Sequence, residues 1–227
     1  MIRRLFTDIA AVYDRMNHLL SLGLDRRWRR LAVEDVKGTP ARILDIACGT
    51  GDLAFALARR FPAAEIAGID LTPAMLDIAN AKNISPCIVF REGDALALPV
   101  IGPFDLCSCA FGFRNFPDRR KALQEVRRVL AAGGELLVLE FFRPENALLG
   151  ALTALWVRFL ARLFVRRQKN AYRYLRESMC RMMSSGEFVA LAAEEGFSLS
   201  GRRFFLPCCT CLRFRLQTSS SASVSRS

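Results

Sequence analysis

The sequence predicts one α/β domain with a mostly parallel sheet, a helical insertion late in the chain and an antiparallel strand pair closing it. Short apolar runs alternate with helical patterns between residues 42 and 141, the signature of parallel strands joined by right-handed crossovers. Beyond Pro144 the alternation stops, and two strand-like runs flank Pro207. Length agrees, because 227 residues exceed a small module yet fall short of two full domains. A hydrophobic content of 52%, with Gly and Pro dispersed, excludes disorder and collagen-like repeats.

Residues 1–38 read as a helical cap, with Leu5, Ile9, Val12, Met16, Leu19 and Leu20 at helical spacing. Arg42–Ile46 is a short strand running into a glycine-rich turn, and Leu53–Arg60 is the helix after it. Glu65–Ile69 is the second strand, and Thr72 caps a helix that Pro73 opens. Cys87–Phe90 and Phe104–Cys109 are the third and fourth strands. Asp118 caps a helix with the apolar stripe Ala122, Val126, Val129 and Leu130, which Ala131-Ala132-Gly133-Gly134 ends. Glu135–Phe141 is the fifth strand. Residues 146–183 read as helical, Glu187–Glu195 as a helix ended by Gly196, and Ser198–Leu206 with Cys208–Leu216 as the closing pair. One domain over 1–217 results, its core at 42–141, and the Ser-rich segment 218–227 is expected to be disordered.

No run of 18 uncharged apolar residues exists, so a conventional spanning helix is not expected. Asp8, Asp14 and Arg15 break any export signal behind Met1-Ile2-Arg3-Arg4, which predicts a cytoplasmic chain. The eight cysteines are then expected as free thiols. Cys208, Cys209 and Cys211 cluster, but one histidine (His18) and no second Cys pair leave a zinc set incomplete, so no metal is expected. The net charge of +11 fits solubility, an anionic membrane surface or nucleic acid. Arg26, Arg27, Arg29 and Arg30 around Trp28 read as a solvated face, and no nucleic-acid signature accompanies them.

The sharpest motif is Asp45-Ile46-Ala47-Cys48-Gly49-Thr50-Gly51-Asp52, a strand entering Gly-x-Gly and then a helix. With Ala54 it also satisfies a dinucleotide fingerprint, so the glycines alone do not choose a cofactor. The acids choose. Asp45 and Asp52 would face a pyrophosphate that wants bare amides and a positive helix end. S-adenosylmethionine carries a sulfonium and an ammonium and no phosphate, so the same carboxylates suit it. Asp70 stands 21 residues past Gly49, where an acid can accept ribose hydroxyls, and Asp94-Ala95 follows the third strand, placed for the adenine.

Tyr13-Asp14-x-Met16-Asn17-x-Leu19-Leu20-Ser21-x-Gly23, Phe111-Gly112-Phe113-Arg114-Asn115, Ala171-Tyr172-x-Tyr174-Leu175-x-x-Ser178 and Gly196-Phe197 together resemble the ubiquinone/menaquinone biosynthesis C-methyltransferase family, from about residue 6 to 216. The resemblance implies a class I S-adenosylmethionine-dependent methyltransferase (Rossmann-like) fold that methylates a ring carbon of a polyprenylated quinol. It implies cofactor contacts at Thr50, Asp70, Asp94 and Ala95, to which the loop adds Asp45, Gly49 and Gly51. Ala110 is counted with them, although the family often has Ser there. Tyr13, Arg114 and Asn115 match positions assigned to substrate and chemistry. A homodimer and a transient membrane contact are further expectations.

Carbon methylation needs a carbanion-like ring carbon, which a quinol supplies once a hydroxyl of pKa about 10 loses its proton. No strong base is evident: His18, beside Leu19 and Leu20, reads as structural. Arg114 stays protonated, so it is expected to stabilise the forming phenolate rather than to act as a base, and the competing reading is a loop salt bridge. Over 146–167, Leu149, Leu152, Trp156, Phe159, Leu160 and Leu163 share one face while Arg158, Arg162 and Arg166 repeat on another. That pattern suits a helix in a membrane interface or one packed on the sheet with snorkelling arginines. Other readings are a methyltransferase for another small molecule, a catalytically dead scaffold and a nucleic-acid methyltransferase. The last should carry an Asn/Asp-Pro-Pro-aromatic motif after the fourth strand, where this chain has Phe-Gly-Phe-Arg-Asn.

Overall fold

The change of hydrophobic period at residue 42 becomes the first strand of a seven-stranded sheet in a computed structural model, which describes residues 2–21, 23–146, 150, 155, 177–179, 181–205 and 209–217. The strands are β1 (Arg42–Ile46), β2 (Glu65–Asp70), β3 (Ile88–Glu92), β4 (Phe104–Ala110), β5 (Leu130–Phe141), β6 (Phe197–Phe204) and β7 (Cys209–Leu216). Their order is β3-β2-β1-β4-β5-β7-β6. The first five strands run parallel, and β7 is antiparallel to both β5 and β6. The chain builds outward from β1 to β3, then returns to lay β4 on the other side of β1. A crevice therefore opens where the order reverses, at the carboxyl ends of β1 and β4.

The helices whose bounds are described flank the sheet: α1 (Ile2–Leu20), α2 (Leu24–Glu34), α3 (Asp52–Arg60), α4 (Pro73–Lys82), α5 (Arg119–Val129) and α6 (Ser185–Glu194). The cap read as one helical region divides at Gly23, whose φ of 77° only glycine adopts cheaply. Two further boundaries differ from expectation. Residues 131–134, read as the end of a helix, belong to β5, because Leu130 already pairs with Phe104 and draws the segment into the sheet. The last helix starts two residues early, because Ser184 accepts from Glu187 N while the Glu187 carboxylate accepts from Ser184 N.

The core lies on both faces of the sheet. On β5, Leu136 and Val138 join the cluster beneath α5 and α6, whereas Leu137 and Leu139 join the one beneath α2, α3 and α4. A strand buried on both sides reads as the continuous apolar run seen in the sequence. Six cysteines are described; all are free thiols, and five are buried within the sheet and its first turn. Among the described residues no helix is long and apolar enough to cross a membrane. Most of the insertion expected at 146–183, including its Trp156 and Arg158 faces, lies outside the described residues, as do the tail at 218–227 and Cys208.

Phe188 of α6 links the sheet to the crevice wall. It is fully buried, with its ring centroid 5.0 Å from that of Phe113, 5.5 Å from Phe142 and 6.0 Å from Phe214. Phe188→Ala should cost about 3–5 kcal/mol through lost transfer energy and the cavity left behind. Urea unfolding monitors this as a lower midpoint at unchanged slope.

Candidate active site

Two non-glycine residues adopt left-handed backbone at the mouth of the crevice: Ala47 (φ 53°) just beyond β1 and Phe111 (φ 59°) just beyond β4. Such conformations persist where the surroundings over-determine them, commonly at functional sites. Gly51 is the N-cap of α3, and a Cβ there would lie 2.8 Å from the Phe90 ring and 2.9 Å from Phe55, which explains the second glycine of the motif by close packing. Gly49 instead faces open space bounded by the Tyr13 ring.

These turns border a cavity of about 410 Å³. Gly49, Asp70, Asp94, Ala95, Ala110 and Asn115 line it. The aromatic and aliphatic side chains of Phe6, Tyr13, Leu71, Met75, Phe111 and Phe116 line it as well. Of the residues expected at the site, Tyr13, Gly49, Asp70, Asp94, Ala95, Ala110 and Asn115 thus meet at one cavity. Asp70 accepts from Gly49 N at 2.8 Å and from Thr72 N at 2.9 Å, which fixes the carboxylate at the end of β2. Burial raises its pKa, with those amide bonds pulling the other way. Asp94 accepts from Leu96 N at 2.9 Å and closes a short turn that seats Ala95 against the cavity.

Asp45 and Thr50 sit one layer behind. They line a hollow of about 20 Å³ that shares Tyr13, Gly49 and Ala110 with the main cavity. Asp45 is 1% exposed; its Oδ1 accepts from Ser108 Oγ at 2.7 Å, and its Oδ2 has no hydrogen-bond partner among the described residues. Burial pushes its pKa up to about 7, against the Ser108 hydrogen bond and the Arg29 charge. A buried acceptor left open beside the cavity fits a cationic or N–H-bearing ligand. Thr50 Oγ1 donates to Asp14 Oδ1 at 2.6 Å. Gly51 packs on Phe55 and Phe90 and does not line the main cavity.

Arg114 forms an ion pair, the competing reading of the sequence. It is buried and does not line the cavity. Its Nη1 lies 2.9 Å from Glu140 Oε1 and also donates to the Phe111 carbonyl, and its backbone N–H donates to Glu140 Oε2. Glu140, fully buried at the end of β5, draws the guanidinium inward, so the charge is spent in the wall. Sequence reasoning missed Glu140, although a lone carboxylate between Leu136-Leu137-Val138-Leu139 and Phe141-Phe142 needs a partner.

The reading of Arg29 as part of a solvated face is corrected by the structure. Rather than being solvated, Arg29 is buried on the inner face of α2, with its Nη1 2.6 Å from Asp25 Oδ2 and 3.8 Å from Asp52 Oδ2, and it lies over the Phe111 ring at 5.3 Å. Burial opposes ionisation of Asp25, but Arg29 and hydrogen bonds from His18 and Ser21 outweigh it and lower the pKa. His18 Nδ1 is 2.9 Å from both Asp25 oxygens, a tether between α1 and α2, and the ring does not line the cavity. His18, Asp25 and Asp52 could ring a cation, but the Arg29 guanidinium already contacts both carboxylates.

A model of the ubiE/COQ5 methyltransferase family matches residues 1–207. The demethylmenaquinone methyltransferase of Thermus thermophilus is 46% identical over 203 residues, covering 86% of this chain and 92% of that protein. The ubiquinone/menaquinone biosynthesis C-methyltransferase UbiE of Syntrophotalea carbinolica is 43% identical over 201 residues, covering 86% of this chain and 85% of that one. Among solved structures, a SAM-dependent methyltransferase of Thermotoga maritima matches with a TM-score of 0.67 at 18% identity, covering 95% of this chain and 99% of that one. Another from Aquifex aeolicus matches at 0.64 and 14%, covering 85% and 92%. At those identities the likeness is one of fold.

Asp45 should leave a mark on stability. Its folded pKa of about 7 stands above the ordinary 3.8, so between those values the native state keeps a proton that the unfolded chain has released. The contribution is fully present below the unfolded pKa and is lost as the pH rises through about 7. Urea midpoints of the wild type should therefore fall from about pH 5 to about pH 7.5 more steeply than those of Asp45→Asn. Parallel slopes would mean that Asp45 titrates normally.

Proposed function

This chain belongs to the ubiE/COQ5 methyltransferase family, and we propose that it methylates a ring carbon of a polyprenylated quinol, as in demethylmenaquinol to menaquinol, with S-adenosylmethionine as donor. The observation that carries this reading is one cavity in which strand-end acids meet an aromatic wall. The acids suit a cationic cofactor, and the wall suits a flat ring.

When bound, S-adenosylmethionine supplies an electrophilic methyl on a sulfonium. Asp70 would hold the ribose hydroxyls, because an ionised carboxylate offers about four acceptor positions and its two amide bonds use only part of them. Asp94 and Ala95 would border the adenine. Asp45 and Gly49 would meet the positively charged amino-acid end, the open Oδ2 being the acceptor. Tyr13 and Asn115 would orient the quinol oxygens by hydrogen bonds, which strengthen as phenolate charge develops. Phe111 and Phe116 exclude water from the ring. Arg114 works through the wall: by gripping Glu140 and the Phe111 carbonyl it holds both Phe111 and Asn115 where they face the cavity.

A polyprenyl tail keeps the substrate in a bilayer. The protein therefore works as a peripheral enzyme on the cytoplasmic face, its charge of +11 drawn to anionic headgroups. The deciding experiment incubates the protein with labelled S-adenosylmethionine and either demethylmenaquinol or a demethylated benzoquinol, then reads product mass. Methylated quinol from one or both is expected; none from either defeats the proposal.

Two variants separate cofactor from substrate duties. Asp70→Ala should weaken S-adenosylmethionine binding at least about tenfold, or ~1.4 kcal/mol, by titration calorimetry. Asn115→Ala should leave that affinity nearly intact while lowering kcat on the order of 10²-fold, as losing a preorganised donor does. A rate within about twofold of wild type would remove Asn115 from the chemistry.

A further inference from the structure

One lysine lies between two carboxylates from different helices, directly above the cofactor turn. Lys82 Nζ, at the end of α4, is 2.9 Å from Asp14 Oδ2 of α1 and 3.1 Å from Asp52 Oδ1 of α3. It also lies 5.8 Å from the centre of the Phe55 ring. The second oxygen of Asp14 accepts from Thr50 Oγ1 at 2.6 Å, and Thr50 is itself buried between the two glycines of the motif. Asp14 therefore touches the cofactor turn directly and, through Lys82, also the first residue of the helix that the turn begins. The next residue back, Tyr13, presents its ring to Gly49 from the cavity side.

This junction does more than decorate a surface. α1 roofs the cavity through Arg3, Phe6 and Tyr13. Its early turn is tied by Arg3 to Glu92 at 2.8 Å, a pair about half exposed on both sides and so nearly worthless energetically. Its far end is tied by His18 to Asp25. Between these ends, Asp14 gives α1 two bonds one residue from Tyr13. Asp14, Lys82 and Asp52 are each about one-third exposed or less, so the junction remains partly screened by salt.

We propose that Asp14 and Lys82 are positioning residues for the methyl transfer: by tying α1 to Thr50 and Asp52 across the cofactor turn, they hold Tyr13 over Gly49. The inference rests on the assignment of Tyr13 to the substrate side of a methyltransferase cavity. A displacement of about 1 Å at such a residue can cost on the order of 10²-fold in rate, so a modest junction has leverage far beyond its stability.

The test compares Lys82→Met, which keeps the stem over Phe55 and removes the charge, with Lys82→Arg, which keeps the charge, and with Asp14→Asn. Hydrogen exchange across residues 2–20 is followed in the cofactor-free protein, S-adenosylmethionine release by stopped flow, and kcat and KM on the quinol. Lys82→Met and Asp14→Asn should speed α1 exchange and cofactor release about fivefold, the scale of a partly exposed charge network. Both should lower kcat more than they change KM, with no shift in the urea midpoint of the sheet. Lys82→Arg should recover all three readouts, and high salt should bring the wild type toward Lys82→Met. Unchanged exchange and release in both charge-removing variants would overturn the proposal, as would a loosened α1 with unaltered kcat. If the wild type methylates no quinol, the substrate assignment falls on its own; exchange and release still report whether the junction holds α1.

Discussion

The wall of the cavity depends on a carboxylate that water never reaches. Glu140 closes the buried run of β5, accepts from the Arg114 N–H, from Arg114 Nη1 and from the Phe141 N–H, and is fully enclosed. An ion in that position is tolerable only when paired and hydrogen-bonded, so it dictates where Arg114 goes. Arg114 in turn donates to the Phe111 carbonyl, which anchors a residue in left-handed backbone whose ring stacks on Phe141 at 4.9 Å. Asn115 Nδ2 bonds the same carbonyl at 3.3 Å. The segment Phe111–Asn115 is thus shaped by one charge pair at its back, and its front lines the cavity.

The acids at the strand ends share a residue type but not a state. Asp70 is held by two amides and keeps partial access to the cavity, whereas Asp45 has one hydroxyl donor and almost no solvent. Burial raises both, and it moves Asp45 furthest, to about 7. A cation placed beside Asp45 would favour the ionised form and draw the proton off. If the cofactor's positive end meets Asp45 as proposed, its binding would be coupled to proton release at that residue.

Much of this was legible in the chain. Strand positions follow from apolar runs of four to seven residues, and the cofactor loop from Gly49 and Gly51 placed between Asp45 and Asp52. The meeting of Asp70, Asp94 and Asn115 followed from each standing at or just past the carboxyl end of a strand in a sheet whose order reverses beside β1. What resisted reading was the direction in which charges turn. Arg29 and its neighbours Arg26, Arg27 and Arg30 are chemically identical in sequence, and only the helix face, set by Trp28, Ala32 and Val33, sends Arg29 inward. Arg114 was recognised as special, but its partner lies 26 residues away on another strand, a pairing that no local pattern encodes. Boundaries failed for a similar reason: Leu130 was claimed by a strand partner, not by its own helix.

The division of labour between sheet and cap explains how a widely shared fold can carry one chemistry. Structures at 14–18% identity share the fold over 85–95% of this chain, so the sheet and its crevice say little about the substrate. The sheet side of the cavity is built by hydrophobic burial, with Leu44, Ile46 and Cys109 buried behind it. The roof is different. Polar bonds fasten α1 near its beginning, middle and end: Arg3 to Glu92, Asp14 to Thr50 and Lys82, His18 to Asp25. Such bonds are worth little individually, so α1 relies on several of them acting together. The roof side of the cavity thus rests in part on directional contacts that the sheet does not supply, and it is in such added parts that a shared fold can come to serve one chemistry.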